Sequence, residues 1–268
     1  MASKPVQQTT RDGRFYVLED GTRLPSVTTV LSSIGKPALV TWAANLEREL
    51  VMEAAADLNE DMKALTAMSR PSYLSTLGRR LGDIKAHHRE SEKACDIGSA
   101  AHAAVEHTLK TALGLTVSPA PRLGPEAACA YAAFQAWAKE HDVRPIRVED
   151  RVWSRRYGYA GTTDLLAEVD GVLTLVDFKT SKAIYAESTL QVAAYVKALE
   201  EMGHERAARG MIVRIPKTAD STFEVLEVPD LDAAFGVFLH VVELFTWWHA
   251  EDLKSKAAWQ ARRSQAVA

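Results

Sequence analysis

Residues 175–182 read LVDFKTSK, and the fold turns on them: an apolar run of strand character that carries an acid, Asp177, and a base, Lys179, two positions apart. In an extended strand, side chains at i and i+2 project from one face roughly 7 Å apart, so Asp177 and Lys179 point the same way. Val176 and Phe178 then face the other way and anchor the strand in a core. A carboxylate in a central strand is costly unless it is paired or holds a cation. An isolated D-x-K at a strand end carries little weight, so its neighbours along the chain decide its meaning.

The preceding strand, YAGTTDLL (159–166), places Asp164 thirteen residues before Asp177, joined to it through the hairpin signal Asp170-Gly171. Pairing across that turn brings the two carboxylates together, and a divalent cation is the usual means of keeping both ionised. Gly161 leaves room for substrate or metal to approach the backbone, or marks a bulge. Downstream, STLQVAAYVKAL (188–199) sets Gln191 and Tyr195 on one helix face. Upstream, IGSAAHAAVEHTL (97–109) gives His102 and Glu106 the same i, i+4 spacing, in an order that is not the H-E-x-x-H zinc pattern.

Around this centre the chain changes character once. RFYVLEDGTRLPSVTTVL (14–31) has a turn signal at Asp20-Gly21 between β-prone flanks and predicts a short hairpin. Leu39, Trp42, Ala43, Leu46 and Leu50 repeat at helical spacing, and interrupted helix continues to about residue 114. LGLTVSPAPRLGPE (113–126) breaks it, and a further helix runs through Tyr131, Phe134 and Trp137 to about His141. From residue 145, IRVEDRVWS, AGTTDLLAEV and EVDGVLTLVDF read as strands. A helix over 187–202, strands in GMIVRIP and FEVLEVP, and a helix over 230–251 follow, with a polar tail expected to fray after Lys254. The order β-β-β-α-β-β-α predicts an α/β protein with a mixed sheet and helices on its faces, neither a β/α barrel nor a doubly wound sheet. The expected divisions are a hairpin and helical region over 1–140, a core over 141–252 and a tail over 253–268.

With 268 residues, 47% hydrophobic and 25% charged, the chain can bury a sizeable core. Its start lacks the apolar segment of a secretory signal and no stretch nears the roughly 20 apolar residues of a membrane span, so a cytoplasmic location without membrane contact is expected. Cys95 and Cys129 supply neither a disulfide framework nor the four thiolates of an iron–sulfur or Cys-only zinc site, and are expected to be small buried hydrophobes. A net charge of −3 gives no bulk attraction to nucleic acid, so any DNA contact must be a local basic groove. Three groups of cations could form it: Arg79 with Arg80; Arg144, Arg147, Arg151, Arg155 and Arg156; and Arg206, Arg209, Arg214 and Lys217. The sequence shows no P-loop, so a fused helicase motor is not expected.

Taken in order, GSAAH (98–102), GYAGTTDLL (158–166), LVDFKTSK and QVAAY (191–195) resemble the RecB-type branch of the PD-(D/E)XK nuclease superfamily. Within it the chain looks like the phage and CRISPR-associated single-strand exonucleases and the mitochondrial genome-maintenance exonucleases. LPSVTTVL and LVTW, within 24–42, look like the amino-terminal region of that group. The resemblance implies a restriction-endonuclease-like core with a helical amino-terminal region arching over the sheet to contribute His102. It implies His102, Asp164 and Asp177 as metal ligands with the backbone carbonyl of Phe178, Lys179 as the catalytic lysine, and Gln191 and Tyr195 as residues that position the lysine or the DNA backbone. Glu149 stands where such proteins often carry an acid on the first core strand. The implied cofactor is Mg²⁺ or Mn²⁺, with the imidazole shifting preference toward Mn²⁺. Two cysteines cannot hold the iron–sulfur cluster common in the CRISPR-associated group, so the cluster-free phage and mitochondrial types are the nearer comparison.

The expected function is a metal-dependent DNA exonuclease acting on single strands or ends in phage or bacterial recombination, replication or repair. A recombinase, a single-strand-binding protein or a helicase would be its partner. Two alternatives remain beside it: a non-catalytic DNA-binding or recombination-partner subunit on a nuclease fold, and a restriction-type endonuclease. Tyr73, Trp42 and Trp137 could stack on bases, with core packing the expected role of the two tryptophans.

Overall fold

The computed structural model describes the backbone of residues 4–64 and 69–267 and the side chains of 4–60 and 69–254. In chain order the elements are β1 (Val6–Thr10), β2 (Gly13–Val17), β3 (Arg23–Pro25), α1 (Val27–Leu31), α2 (Pro37–Ala64), α3 (Arg70–Leu81), α4 (Ala86–Ala112) and α5 (Pro125–Glu140). β4 (Val143–Ser154), β5 (Tyr159–Val169), β6 (Val172–Lys179), α6 (Glu187–Glu201), β7 (Arg209–Arg214), β8 (Glu224–Glu227) and α7 (Leu231–Val267) follow. Two compact units are formed, one by Gly35–Ser99 and one by Met1–Ile34 with Ala100–Ala268.

The smaller unit is helical. Ser69 caps α3 by accepting from Ser72 N, and the Glu47 carboxylate pairs with the His87 ring nitrogen at 2.8 Å to tie α2 to the start of α4. Trp42 and Tyr73 are half-buried in it rather than core residues. Cys95 is exposed, which corrects the expectation of a buried thiol: the stripe that α4 buries farther along runs through Ala101, Val105 and Leu109, and Cys95 is off that register. Cys129 is half-buried for the same reason, one position aside from the buried Ala127, Ala130, Phe134 and Trp137 of α5.

The larger unit is built on a five-stranded sheet in the order β4-β5-β6-β7-β8. All neighbours are antiparallel except β6 with β7, and α6 makes the crossover that a parallel pair requires. The β5–β6 turn is the expected hairpin: Asp170 and Gly171 have φ of 52° and 77°, the left-handed pair a two-residue type I′ turn demands. One sheet face packs Val152, Leu166, Leu175 and Ile212 against Val192, Val196 and Leu199 of α6, Phe235 and Phe238 of α7, and Val27 and Val30 of α1. Elsewhere Phe178 stands edge-on to Phe134 and Trp137 of α5, each ring pair 5.4 Å apart. Trp137 is thus a core residue, as expected. Phe134 is 1% exposed, so Phe134→Ala is expected to cost about 3–5 kcal/mol in a urea or guanidinium unfolding titration.

The Asp20-Gly21 hairpin forms between β2 and β3, and a second hairpin precedes it, β1 pairing with β2 across Arg11 and Asp12. This small sheet buries Tyr16, Leu18 and Leu24 against Ala160 of β5, and the Tyr16 hydroxyl is 2.8 Å from that of Thr162. Ser26 caps α1 by accepting from Thr29 N. Toward the other terminus α7 continues to Val267, and it is started by Asp230, which accepts from the N–H groups of Asp232 and Ala233. Leu231–Lys254 is also long and apolar enough to cross a membrane by length and composition, contrary to the expectation that no stretch would be. Its apolar content is spread over two faces. Phe235, Phe238 and Val241 are buried in the core, whereas Val237, Leu244, Trp247 and Trp248 are exposed.

Candidate active site

The β5–β6 ladder is paired from Val169 opposite Val172 to Leu165 opposite Val176, and one further step of that register sets Asp164 against Asp177. There the side chain takes over from the backbone: Asp164 Oδ2 accepts from Phe178 N at 2.7 Å. Lys179 O accepts from Ile215 N on the β7 side. Because peptide groups alternate along a strand, the Phe178 carbonyl is directed to the β5 side, where Asp164 lies. Phe178 therefore anchors the core through its ring and presents backbone to the site.

Asp177 is 2% exposed and its neighbours form a closed ring. Gln191 Nε2 donates to Asp177 Oδ1 at 2.9 Å, Lys179 Nζ donates to Gln191 Oε1 at 2.9 Å, and Lys179 Nζ is 2.8 Å from Asp177 Oδ2. Gln191 Nε2 also reaches the Tyr195 hydroxyl at 3.2 Å. The expected Gln191–Tyr195 helix face is thus turned onto the strand pair, and one amide orients the acid and the base together. Burial opposes the Lys179 charge, but the Asp177 and Asp164 carboxylates outweigh it and raise its pKa, so the amine stays an ammonium. Burial raises the pKa of Asp177, reinforced by the Asp164 charge and opposed by Lys179. Of the two roles expected for Gly161, a close ligand approach or a bulge, neither accounts for the space beside it. A Cβ on it would lie 2.3 Å from Cε1 of Tyr195, so the missing side chain makes room for that ring.

Facing this ring is a second constellation. His102 of α4, Glu149 of β4 and Asp164 each offer a ligand atom, all within 4.8 Å of one another. α4 is held for this by its buried Ala101, Val105 and Leu109 and by a 2.8 Å contact between the Thr108 and Tyr131 hydroxyls. His102 Nδ1 is 3.6 Å from Asp164 Oδ1, an ion-pair distance beyond a good hydrogen bond. Burial works against the imidazolium, yet Asp164 pushes the pKa of His102 up to about 9. Burial also works against the Asp164 carboxylate, but His102, Lys179 and the Phe178 N–H hold its pKa down. Glu149 is pushed up to about 7 by burial and then by the charges of Asp164 and Glu106.

Glu149 gains most in weight from the structure. It has φ of 50°, left-handed backbone on a non-glycine residue, and the paired register on either side of it, Val148 with Leu165 and Asp150 with Thr163, skips the Glu149–Asp164 pair. Such a conformation costs on the order of 1–3 kcal/mol and persists only where surrounding structure enforces it. Its outcome here is a second carboxylate aimed at His102 and Asp164. The available signal in the sequence was its position, where the resemblance often places an acid on the first core strand; IRVEDRVW itself does not distinguish Glu149 from Asp150.

A divalent ion fits these residues. The donor set is one imidazole and carboxylate oxygens, which select a hard or borderline cation. Two acids converge at a cost that Glu149's raised pKa records, and Asp177 Oδ2 is buried with no aligned hydrogen bond despite the nearby ammonium. Glu149→Gln is expected to weaken Mn²⁺ binding by at least the roughly 10–100-fold that even a ligand's outer partners command, measured by calorimetric titration. In chelator the same variant should be the more stable protein at pH 8. An acid whose pKa is raised on folding destabilises the fold increasingly as pH climbs from its ordinary value of 4.5 to about 7, so the gain in Tm should vanish near pH 4.

In the last of the three basic groups the arginines are paired: Arg206 with Asp232, Arg209 with Glu227 and the Val169 carbonyl, and Arg214 with both oxygens of Glu224. Arg79 and Arg80 lie in the last turn of α3. Arg144 pairs with Asp142 and Glu168 and Arg156 lies over the Tyr157 ring, whereas Arg147, Arg151 and Arg155 line a cleft.

A mixed sheet that carries an acid on one strand and D-x-K on the next, with a glutamine helix folded over both, defines a nuclease-type centre. The model of the PD-(D/E)XK nuclease superfamily matches residues 72–265, and this chain belongs to that superfamily. No curated protein matches the sequence. Among solved structures, the chain is similar to the alkaline exonuclease LHK-Exo from Laribacter hongkongensis, at 12% identity and a TM-score of 0.36, covering 63% of this chain and 93% of that one. It is also similar to a protein labelled an exonuclease from Eubacterium rectale, at 16% identity and a TM-score of 0.39, covering 65% and 70%.

Proposed function

We propose that this chain is a metal-dependent deoxyribonuclease that removes nucleotides from single-stranded DNA or DNA ends. The observation that carries the reading is the Asp177–Lys179–Gln191 ring set beside the His102, Glu149 and Asp164 cluster. His102, Glu149 and Asp164, with Asp177 and the Phe178 carbonyl, would hold Mg²⁺ or Mn²⁺, the imidazole favouring Mn²⁺. When bound, the ion supplies positive charge at the scissile phosphate and acidifies water.

The residues of the chain do the rest. An ammonium has three N–H groups; one on Lys179 is donated to Gln191 while the Asp177 carboxylate lies 2.8 Å away as an ion pair, which leaves N–H capacity for a phosphate oxygen or an attacking water. Lys179 thereby neutralises charge that develops on the phosphorane. Gln191 fixes where that ammonium sits, and Tyr195 fixes Gln191.

Such an enzyme would serve recombination, replication or repair in a bacterial or phage-infected cell, in the cytoplasm, alongside a recombinase, a single-strand-binding protein or a helicase. The test is digestion of linear single-stranded, linear duplex and circular DNA, end-labelled where an end exists, with Mg²⁺ and with Mn²⁺. The reading expects a ladder of short products from one labelled end and intact circles. Cut circles would replace it with an endonuclease, and retention of uncut DNA with either ion would replace it with a binding subunit.

A further inference from the structure

We infer that a second, non-catalytic cleft along β4 binds the phosphodiester backbone of a nucleic-acid strand. The inference rests on the hydrolytic reading above for the identity of the polyanion, and on its own geometry for the site. A cleft of about 430 Å³ is lined by Lys4, Arg147, Arg151, Trp153 and Arg155, with Asp150, Glu201, Met202 and His204 completing its wall. Four permanent positive charges face two negative ones there, in a chain whose net charge is −3. His204 adds none, because burial and the neighbouring Arg147 lower its pKa.

Both acids are already committed. Asp150, 3% exposed, holds Lys4 Nζ at 2.6 Å and Arg147 Nη1 at 2.9 Å, and Glu201 accepts from Ser154 Oγ and Arg156 N. Arg147 is fixed again by its 3.2 Å contact with His204 Nδ1. Arg151 is held by the Pro5 carbonyl at 2.9 Å and has no carboxylate partner among the described residues. Arg155 pairs with Asp20, but both side chains are about half exposed, and such a pair exchanges readily for a phosphate.

Arg151 in β4 and Arg155 in the turn just after it stand on either side of half-buried Trp153 in the sequence, and all three line the cleft. Two guanidinium groups flanking an indole make a surface that tracks a backbone and offers one base a stacking partner. The cleft meets α6 at Glu201, ten residues or about 15 Å from Gln191, and on β4 its Asp150 adjoins Glu149. It also lies on β4, the edge strand of the sheet, whose Trp153 N–H is directed to Met202 Sδ rather than to another strand.

The test is fluorescence anisotropy of a labelled 20-nucleotide oligo-dT in EDTA over a range of salt, using Arg151→Gln/Arg155→Gln, which leaves the buried Asp150 bracket intact. The double variant is expected to bind at least tenfold more weakly at low salt. Its slope of log affinity against log salt should fall by about 1.4, as loss of two phosphate contacts to a single strand requires. Arg151→Lys/Arg155→Lys should keep the wild-type slope, which a merely structural role for the arginines would not predict. Unchanged affinity and slope in the glutamine variant would overturn the cleft while leaving hydrolysis standing. The predicted slope change in the glutamine variant, together with wild-type protein that cleaves no DNA with either Mg²⁺ or Mn²⁺, would overturn the hydrolytic reading and leave the cleft.

Discussion

Lys179→Ala protein is expected to fold and to lose at least about 10²–10³-fold of its DNA cleavage rate, the usual consequence of removing one preorganised donor from a developing negative charge. Among the described residues the ammonium is the one cation within hydrogen-bond reach of Asp177, so its loss leaves that buried carboxylate facing Asp164. Asp177 then takes up a proton rather than remaining charged, and the fold survives with a weaker metal site. Lys179→Met, which keeps the length of the side chain, should be equally inactive and closer to wild type in stability. Initial rates on labelled DNA, with circular dichroism to establish folding, measure both. Full activity in either folded variant would remove Lys179 from the chemistry.

Gly161→Ala should act from the other side of the ring. The backbone at Gly161 suits any residue, so the whole effect comes from one methyl group set 2.3 Å from Cε1 and 3.0 Å from Cζ of Tyr195. Tyr195 is 4% exposed, a rigid ring packed between α6 and β5, and its only way out drags the hydroxyl from Gln191. Overpacking of this kind costs about 1–3 kcal/mol, visible in denaturant unfolding. Displacement of Gln191 should lower the cleavage rate as well. A double-mutant cycle with Tyr195→Ala separates the causes: once the ring is gone the methyl group should cost little, a coupling of about 1–3 kcal/mol between the two positions.

The residues that sequence reasoning placed correctly are those whose partners are fixed by period or by a turn. Asp164 meets Asp177 because an Asp-Gly hairpin dictates the register between them, and Gln191 meets Tyr195 because four residues close a helical turn. The parallel β6–β7 pair follows from a helix lying between two apolar strands. What escaped was set by tertiary context. β1, VQQTT, is wholly exposed and has no alternation to betray it, so only its pairing with β2 makes it a strand. The left-handed backbone of Glu149 belongs to no local pattern; the convergence of β4 and β5 at Asp164 imposes it. Gly161 reads as a bulge or a ligand approach in sequence, because the ring it admits comes from a helix 34 residues on. Arginines are equally ambiguous in one dimension: Arg214 is locked by Glu224 and Arg151 faces a cleft, though both stand in strands.

In the proposed reaction a divalent ion held by His102, Glu149 and Asp164 works with Lys179 to hydrolyse DNA. It is tested most directly by the initial rate of nucleotide release from linear single-stranded DNA, measured on chelator-stripped protein as Mn²⁺ is added back. No release is expected before addition, and a saturable rise with added ion, absent in folded Asp164→Asn protein at every Mn²⁺ concentration. Undiminished release in chelator, or a wild-type response from Asp164→Asn, would contradict it.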